Sequence, residues 1–159
     1  MVINNFQEPQ PSQNFSVERK PNILVVDDHP TILNGTINLI YSEHPEASIV
    51  KAQTAQEMLS LIQSHQFDLV VMDLSIPDRT GESAKIELGI QLLQNLLKEY
   101  PHQNFLVQTS YVKALIRIKH EIDNHQGGFA IADKALPENE MLMRFNLALI
   151  GATHTKDIK

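Results

Sequence analysis

The feature of this sequence that most limits its fold is a fivefold alternation between short apolar runs and longer amphipathic stretches. The apolar runs cover residues 23–26, 48–52, 68–72, 105–108 and 129–132, and the first of them, ILVV, is mostly β-branched. The stretches that follow them place apolar residues at helical spacing over residues 31–41, 55–64, 88–100, 112–122 and 138–149. Apolar strands that alternate with amphipathic helices are typical of a parallel sheet covered on both faces.

This pattern predicts a doubly wound α/β domain with a flavodoxin-like (βα)5 fold and the strand order 2-1-3-4-5. The chain has 159 residues, enough for one domain with a real core, which we assign to residues 21–150. Residues 1–20 are rich in Asn, Gln, Ser and Pro and are predicted to be a flexible N-terminal leader. Residues 151–159 are predicted to be a short polar C-terminal tail.

Composition excludes several classes of function. The net charge is −6, so direct binding to nucleic acid or to an anionic membrane is not expected. The chain has no cysteine, which excludes disulfides, thiolate chemistry and cysteine-based zinc sites. No apolar run approaches the roughly 20 residues that span a bilayer, and the N-terminus lacks the apolar stretch of a signal peptide. We therefore expect a soluble cytoplasmic protein.

Side chains that can carry chemistry stand at the C-terminal ends of the predicted strands. Asp27 and Asp28 follow the first strand, and Asp73 follows the third. Thr109 follows the fourth strand and Lys134 the fifth. Open α/β sheets bind ligands beyond the carboxyl ends of their strands, where the strand order reverses. We therefore expect these five side chains to converge on one cleft.

Three crowded carboxylates repel one another, and a bound divalent cation relieves that repulsion. Mg²⁺ prefers oxygen ligands, and together with Lys134 it balances the three carboxylate charges. The cleft can then accept a phosphoryl group, whose transfer needs positive charge of this kind. Asp73 is the best-placed carboxylate nucleophile, and Thr109 offers a hydroxyl to a phosphoryl oxygen.

Four segments of the chain, in order and at suitable separations, resemble the receiver domains of two-component response regulators: ILVVDDHP, FDLVVMDLSIP, FLVQTS and GGFAIADK. The resemblance implies that Asp73 is the phospho-acceptor and that Thr109 and Lys134 hold the phosphoryl group. It implies a Mg²⁺ site made by Asp27 (through water), Asp28, Asp73 and the backbone carbonyl of Ser75. The implied partner is a sensor histidine kinase or phosphotransfer protein, and homodimerisation stays open.

The stretches DDHP and ADKALPENEML most resemble the receiver subfamily that usually carries a C-terminal helix-turn-helix domain. No such domain follows, so a stand-alone receiver and a receiver cut from a longer regulator are both open. Turnover of an external substrate is not expected. Hydrolases of the haloacid dehalogenase kind also phosphorylate an aspartate, but they need a second acid two residues later, where this chain has Ser75.

Two departures from the family pattern keep a second interpretation open. The family normally has a glycine eight residues after the phospho-acceptor, directly before the third helix. Gly81 stands at that offset, but Gly89 matches the start of the helix better, so we infer an insertion of about eight residues at 79–86 (RTGESAKI) beside the site. It is either a tolerated surface loop or an element that recognises a kinase or partner. The aromatic switch position holds Ile131. The alternative is a pseudo-receiver, a protein-interaction module that works without phosphorylation.

Histidine is not expected to bind metal, because none of the seven histidines forms an HExxH motif or a similar ligand pair. His29 follows the acidic pair directly. It either tunes that pair or is simply exposed.

Overall fold

The computed structural model describes residues 20–155, which form six strands and five α-helices. The leader predicted at 1–20 lies outside the described residues except for Lys20. The tail predicted at 151–159 is described as far as Thr155.

The strands are β1 (Asn22–Val26), β2 (Ser48–Ala52), β3 (Leu69–Met72), β4 (Phe105–Thr109), β5 (Phe129–Asp133) and β6 (Thr153–His154). The α-helices are α1 (Pro30–Glu43), α2 (Ala55–Ser64), α3 (Ile86–Glu99), α4 (Lys119–Asp123) and α5 (Glu138–Leu149). A 3₁₀-helix (Val112–Ile118) leads directly into α4. Every predicted strand and four of the five predicted helices are therefore present, and the bounds of β2, α2 and α5 match the predicted ones.

All strands are parallel and form one sheet in the order β2-β1-β3-β4-β5-β6. The predicted order 2-1-3-4-5 is confirmed. The additional strand β6 lies in the segment predicted as a tail and extends the sheet beside β5, with Thr153 opposite Phe129 and His154 opposite Ala130. Two residues give no periodicity, which is why the sequence did not reveal this strand.

The core has two parts because successive side chains of a strand point to opposite faces of the sheet. Leu24 and Val26 of β1 pack on the face covered by α2, α3 and the 3₁₀-helix. Ile23 and Val25 pack on the face covered by α1 and α5. Burial on both faces explains why the central strands appear in the sequence as unbroken apolar runs.

The fourth helix differs in type from the prediction. Residues 112–122 were expected to form one amphipathic helix, but the first seven residues of this region form the 3₁₀-helix and only the short α4 is α-helical. Runs of 3₁₀-helix longer than about four residues are uncommon, because their hydrogen bonds have poorer geometry. Apolar spacing at i and i+3 suits both helix types, so the sequence pattern does not separate them.

The inserted residues form a surface loop between β3 and α3. The loop is closed by an antiparallel bridge between Ile76 and Lys85, in which the Lys85 N–H donates to the Ile76 carbonyl at 3.2 Å. Residues 79–83 are exposed, and Gly81 takes a positive φ of 88°. Before the loop, the carbonyls of Pro77 and Asp78 accept hydrogen bonds from the first two N–H groups of α2.

Gly89 lies inside α3, where the helix crosses the segment that follows Asp73. A Cβ atom at this position would stand 1.8 Å from the carbonyl oxygen of Leu74. Only glycine allows this close approach, so it is Gly89, as the sequence suggested, that fits the helix against the site.

We expect Gly89→Ala to destabilise the fold by about 3 kcal/mol, because backbone must shift to admit the methyl group. Gly35→Ala is the matched control, since a Cβ on this helical glycine meets nothing within 4 Å. It should raise the free energy of unfolding by about 0.5–1 kcal/mol. Urea unfolding followed by circular dichroism measures both, and equal effects of the two substitutions would contradict the packing described for Gly89.

Candidate functional site

Backbone hydrogen bonds at three strand ends hold the predicted site residues in place. The Asp27 N–H donates to the last carbonyl of β2 at 3.1 Å, and the Asp73 N–H donates to the last carbonyl of β1 at 3.1 Å. The Lys134 N–H donates to the last carbonyl of β4 at 3.2 Å. Each parallel ladder thus continues one residue beyond its strand, which fixes the direction in which these side chains leave the backbone.

The ammonium group of Lys134 connects two of the predicted carboxylates. Its Nζ lies 2.8 Å from Asp27 Oδ2 and 2.8 Å from Asp73 Oδ2. Asp27 and Asp73 are only 4% and 3% exposed. Burying carboxylates without partners costs several kcal/mol per charge, so the shared ammonium is what makes this arrangement tolerable.

Burial of the Lys134 ammonium works to lower its pKa, since desolvation penalises the charged form. Hydrogen bonds to Asp27 and Asp73, and the negative charges of both carboxylates, act in the opposite direction and outweigh the burial. The pKa of Lys134 is therefore raised above its ordinary value, and the side chain is a permanent positive charge at neutral pH.

Both oxygens of the predicted acceptor, Asp73, are engaged. Oδ1 accepts a hydrogen bond from the Leu74 N–H at 2.7 Å, and Oδ2 accepts one from Lys134 Nζ. These contacts hold the carboxylate of Asp73 in one orientation at the C-terminal end of β3.

The residues after β1 make the second half of the cluster. Asp27 Oδ1 accepts a hydrogen bond from the His29 N–H at 2.9 Å, and His29 Nδ1 lies 3.1 Å from both Asp27 Oδ1 and Asp28 Oδ1. Asp28 Oδ1 is buried, yet it makes no hydrogen bond with any group in residues 20–155. Sequence reasoning left His29 out of the site; its position next to Asp27 and Asp28 was the available signal.

The donor set of this cluster fits a hard divalent cation. Asp27, Asp28 and Asp73 carry three negative charges, of which Lys134 neutralises one, so two remain. The buried Asp28 Oδ1 has no hydrogen-bond donor among the described residues. Asp27, His29 and Asp73 each offer a ligand atom, and these atoms lie within 4.8 Å of one another. The predicted acidic cluster therefore exists, with Asp27, Asp73 and Lys134 in direct contact and Asp28 joined to it through His29.

Thr109 and Ser75, the remaining predicted site residues, lie on the segments that border the cluster. Thr109 is fully buried at the end of β4, and its Oγ1 accepts a hydrogen bond from the Tyr111 N–H at 3.1 Å. Ser75 is half-buried, two residues past Asp73. The roles of the Thr109 hydroxyl and the Ser75 carbonyl at this site stay predictions.

The predicted switch position, Ile131, is fully buried on the face of the sheet that carries the 3₁₀-helix. Its carbonyl accepts a hydrogen bond from Arg144 NH1 at 2.7 Å, which ties β5 to α5. The isoleucine packs in the same core cluster as Val112 and Leu115, so β5 and the 3₁₀-helix are in contact at this point.

Within residues 20–155, none of the helices combines the length and the apolar character that crossing a membrane requires.

Comparison with known sequences places this chain in a family. The family model described as the response regulator receiver domain matches residues 23–121. An uncharacterized transcriptional regulatory protein of Bacillus subtilis, YhcZ, is 31% identical over 90 residues, which are 56% of this chain and 38% of that protein. The chain thus spans about two fifths of the length of the curated relatives it matches.

Solved structures share the fold. The CheY-like receiver domain protein from Methanospirillum hungatei JF-1 aligns with a TM-score of 0.64 at 24% identity, over 83% of this chain and 95% of that one. A two-component response regulator of the LuxR family from Aurantimonas sp. SI85-9A1 aligns with a TM-score of 0.65 at 25% identity, over 88% of this chain and 93% of that one.

Replacing Lys134 by Met should destabilise the protein by about 3 kcal/mol at neutral pH, because two buried carboxylates lose their shared partner. A raised folded-state pKa means that the stabilisation is complete below the ordinary lysine value of about 10.4 and is lost as the pH rises through the higher folded value. The stability difference between the two proteins should therefore stay constant from about pH 7 to 9 and shrink above about pH 10.4.

Lys119→Met is the matched control for this measurement. Lys119 pairs with Asp123 at 2.7 Å, but both side chains are about half exposed. Its loss should cost less than about 0.5 kcal/mol. Urea unfolding at several pH values separates the two variants, and equal costs would show that the contacts of Lys134 contribute no more than a surface ion pair.

Proposed function

Because this chain belongs to the family of response regulator receiver domains, the signalling modules of two-component systems, we propose that it accepts a phosphoryl group on Asp73 with the help of a bound Mg²⁺. The observation that carries the proposal is the contact of Lys134 Nζ with both Asp27 and Asp73 at 2.8 Å. This contact joins a nucleophilic carboxylate, a second carboxylate and a fixed positive charge at the C-terminal ends of the strands.

The proposed reaction is a direct transfer to the carboxylate. An oxygen of Asp73 attacks phosphorus, an acyl phosphate bond forms, and the bond between phosphorus and the donor breaks with its electron pair going to the donor. The donor is the phosphohistidine of a sensor kinase or phosphotransfer protein. A proton from solvent neutralises the histidine that leaves.

Lys134 balances one of the three carboxylate charges, and Mg²⁺ would balance the other two. Lys134 already contacts Asp73 Oδ2, so its ammonium is positioned to pair with a phosphoryl oxygen once Asp73 is modified. The Thr109 hydroxyl supplies a further donor from the end of β4. Asp27, Asp28, Asp73 and the Ser75 carbonyl would hold Mg²⁺, which supplies positive charge to the phosphoryl oxygens during transfer.

We propose that the phosphorylated form changes the binding of an output partner in the cytoplasm. We propose that the change at Asp73 is transmitted through Thr109, because this buried residue lies three residues before the 3₁₀-helix and its hydroxyl accepts the N–H of Tyr111, the N-cap residue of that helix. A cleft of about 810 Å³ borders that helix and is lined by Tyr111, Lys113, Arg117 and Leu136, among others. With a net charge of −6, the chain itself is not expected to bind nucleic acid.

Incubation with acetyl phosphate and Mg²⁺ should add one phosphoryl group to the parent protein, as measured by intact-mass spectrometry. The addition should be absent from Asp73→Asn, whose amide is not a nucleophile, and absent from the parent in excess EDTA. Asp123→Asn is the matched control, since this carboxylate is about half exposed and pairs with Lys119 away from the acidic cluster.

Two outcomes would contradict the proposal. Modification of Asp73→Asn to the level of the parent would place the acceptor elsewhere. No modification of the parent, under conditions that phosphorylate another receiver domain, would favour the pseudo-receiver, a docking module that works without phosphorylation.

Tyr111→Ala should hydrolyse its acyl phosphate faster than the parent does. Tyr111 is 47% exposed and its N–H is held by Thr109 Oγ1. A bulky ring two residues past Thr109 would restrict the access of water to the acyl phosphate. The decay of the phosphorylated species, followed by intact mass after removal of acetyl phosphate, gives both rates. Slower decay in the variant than in the parent would show that the ring does not shield the acyl phosphate.

A further inference from the structure

His29 lies inside the acidic cluster, but the function proposed above gives it no role. One ring nitrogen stands 3.1 Å from a carboxylate oxygen of Asp27 and 3.1 Å from one of Asp28. A ligand atom of His29 is also within 4.8 Å of those offered by Asp27 and Asp73. The imidazole is therefore part of the site by position.

The backbone of His29 is fixed from both sides. It is the N-cap residue of α1, with φ −95° and ψ 108°, and Pro30 follows as the first helical residue. Its carbonyl accepts the Leu33 N–H at 2.9 Å, and its own N–H donates to Asp27 Oδ1. The side chain makes no capping hydrogen bond, so the ring is turned toward the carboxylates instead of the helix.

The measured separations suit neighbouring ligands of one ion. Two adjacent ligands of an octahedral cation, each at about 2.1 Å from it, stand about 3.0 Å apart. The two nitrogen-to-oxygen distances of 3.1 Å agree with that spacing. A hydrogen bond accounts for the distance to Asp27, but the approach to Asp28 does not have hydrogen-bond geometry.

Asp28 Oδ1 provides the second observation. It is buried and makes no hydrogen bond with any group in the described part of the chain, although His29 Nδ1 is its neighbour. A buried carboxylate oxygen without a donor is costly unless a cation approaches it. The His29 side chain is 59% exposed, so solvent and ions reach this corner of the cluster.

We infer that His29 is an additional metal ligand of this site, and that it shifts the preference of the site from Mg²⁺ toward divalent cations that accept nitrogen, with Mn²⁺ as the representative. The inference rests on the proposed function, because the same carboxylates hold the ion. Mg²⁺ takes oxygen ligands almost exclusively. Mn²⁺ suits the same carboxylate, carbonyl and water ligands in octahedral geometry, and as a transition metal it also accepts an imidazole nitrogen.

The test compares the parent, His29→Ala and the matched control His102→Ala. His102 is exposed in the connection between α3 and β4 and lines a different cleft from the acidic cluster. Isothermal titration with MgCl₂ and with MnCl₂ gives both affinities. Changes to partners of metal ligands commonly cost 10- to 100-fold in affinity, so His29→Ala should lose at least about tenfold for Mn²⁺. Its affinity for Mg²⁺ should change less than about threefold.

A spectroscopic measurement distinguishes ligation from proximity. Electron spin echo envelope modulation of the Mn²⁺-loaded parent should show coupling to a directly bound ¹⁴N nucleus, which should be present in His102→Ala and absent in His29→Ala. Equal changes for both metals without ¹⁴N coupling would overturn the inference, since His29 would then act only through hydrogen bonds to the carboxylates. Failure of the parent to bind either metal would instead overturn the proposed function.

Discussion

The contact of Lys134 with Asp27 and Asp73 is the interaction on which the rest of the site depends. Both carboxylates are nearly buried, and the ammonium between them lies 2.8 Å from each. This is possible because the parallel strands β1, β3 and β5 all end on the same side of the sheet, where their C-terminal ends lie close together. The backbone ladders continue one residue past those strands, so the charged side chains start from fixed positions. An arrangement of charges that would be costly elsewhere is thus stabilised by the geometry of the sheet.

The segment after Asp73 shows how the fold accommodates additional residues next to such a site. It is held at its beginning by the first N–H groups of α2 and at its end by the close contact of Gly89 with Leu74. The antiparallel bridge between Ile76 and Lys85 closes the inserted loop at its base. Residues 79–83 of the insertion are exposed to solvent, while the backbone of Asp73 keeps its hydrogen bond to the last carbonyl of β1.

The other side of the site lacks the aromatic residue that receiver domains use to report phosphorylation. Ile131 is fully buried and packs with the 3₁₀-helix that begins three residues after Thr109. A long 3₁₀-helix is a less stable element than an α-helix of the same residues. This helix follows the buried threonine and lines the cleft of about 810 Å³. Under the function proposed above, it is the element of this surface that would respond to a change at Asp73.

The sequence by itself determined the fold class, the strand order and the residues of the acidic cluster. Buried parallel strands must be apolar throughout, and functional side chains follow directly at their ends, so both leave a local signal.

Tertiary structure alone decided three things. Strand β6 forms because β5 offers a free edge, and its two residues have no pattern of their own. Residues 112–118 form a 3₁₀-helix, although their apolar spacing suits either helix type. The ring of His29 joins the carboxylates because α1 begins at Pro30 and leaves the imidazole without a capping role. Each of these outcomes depends on contacts between residues far apart in the chain, or on a rotamer, and neither is encoded in local periodicity.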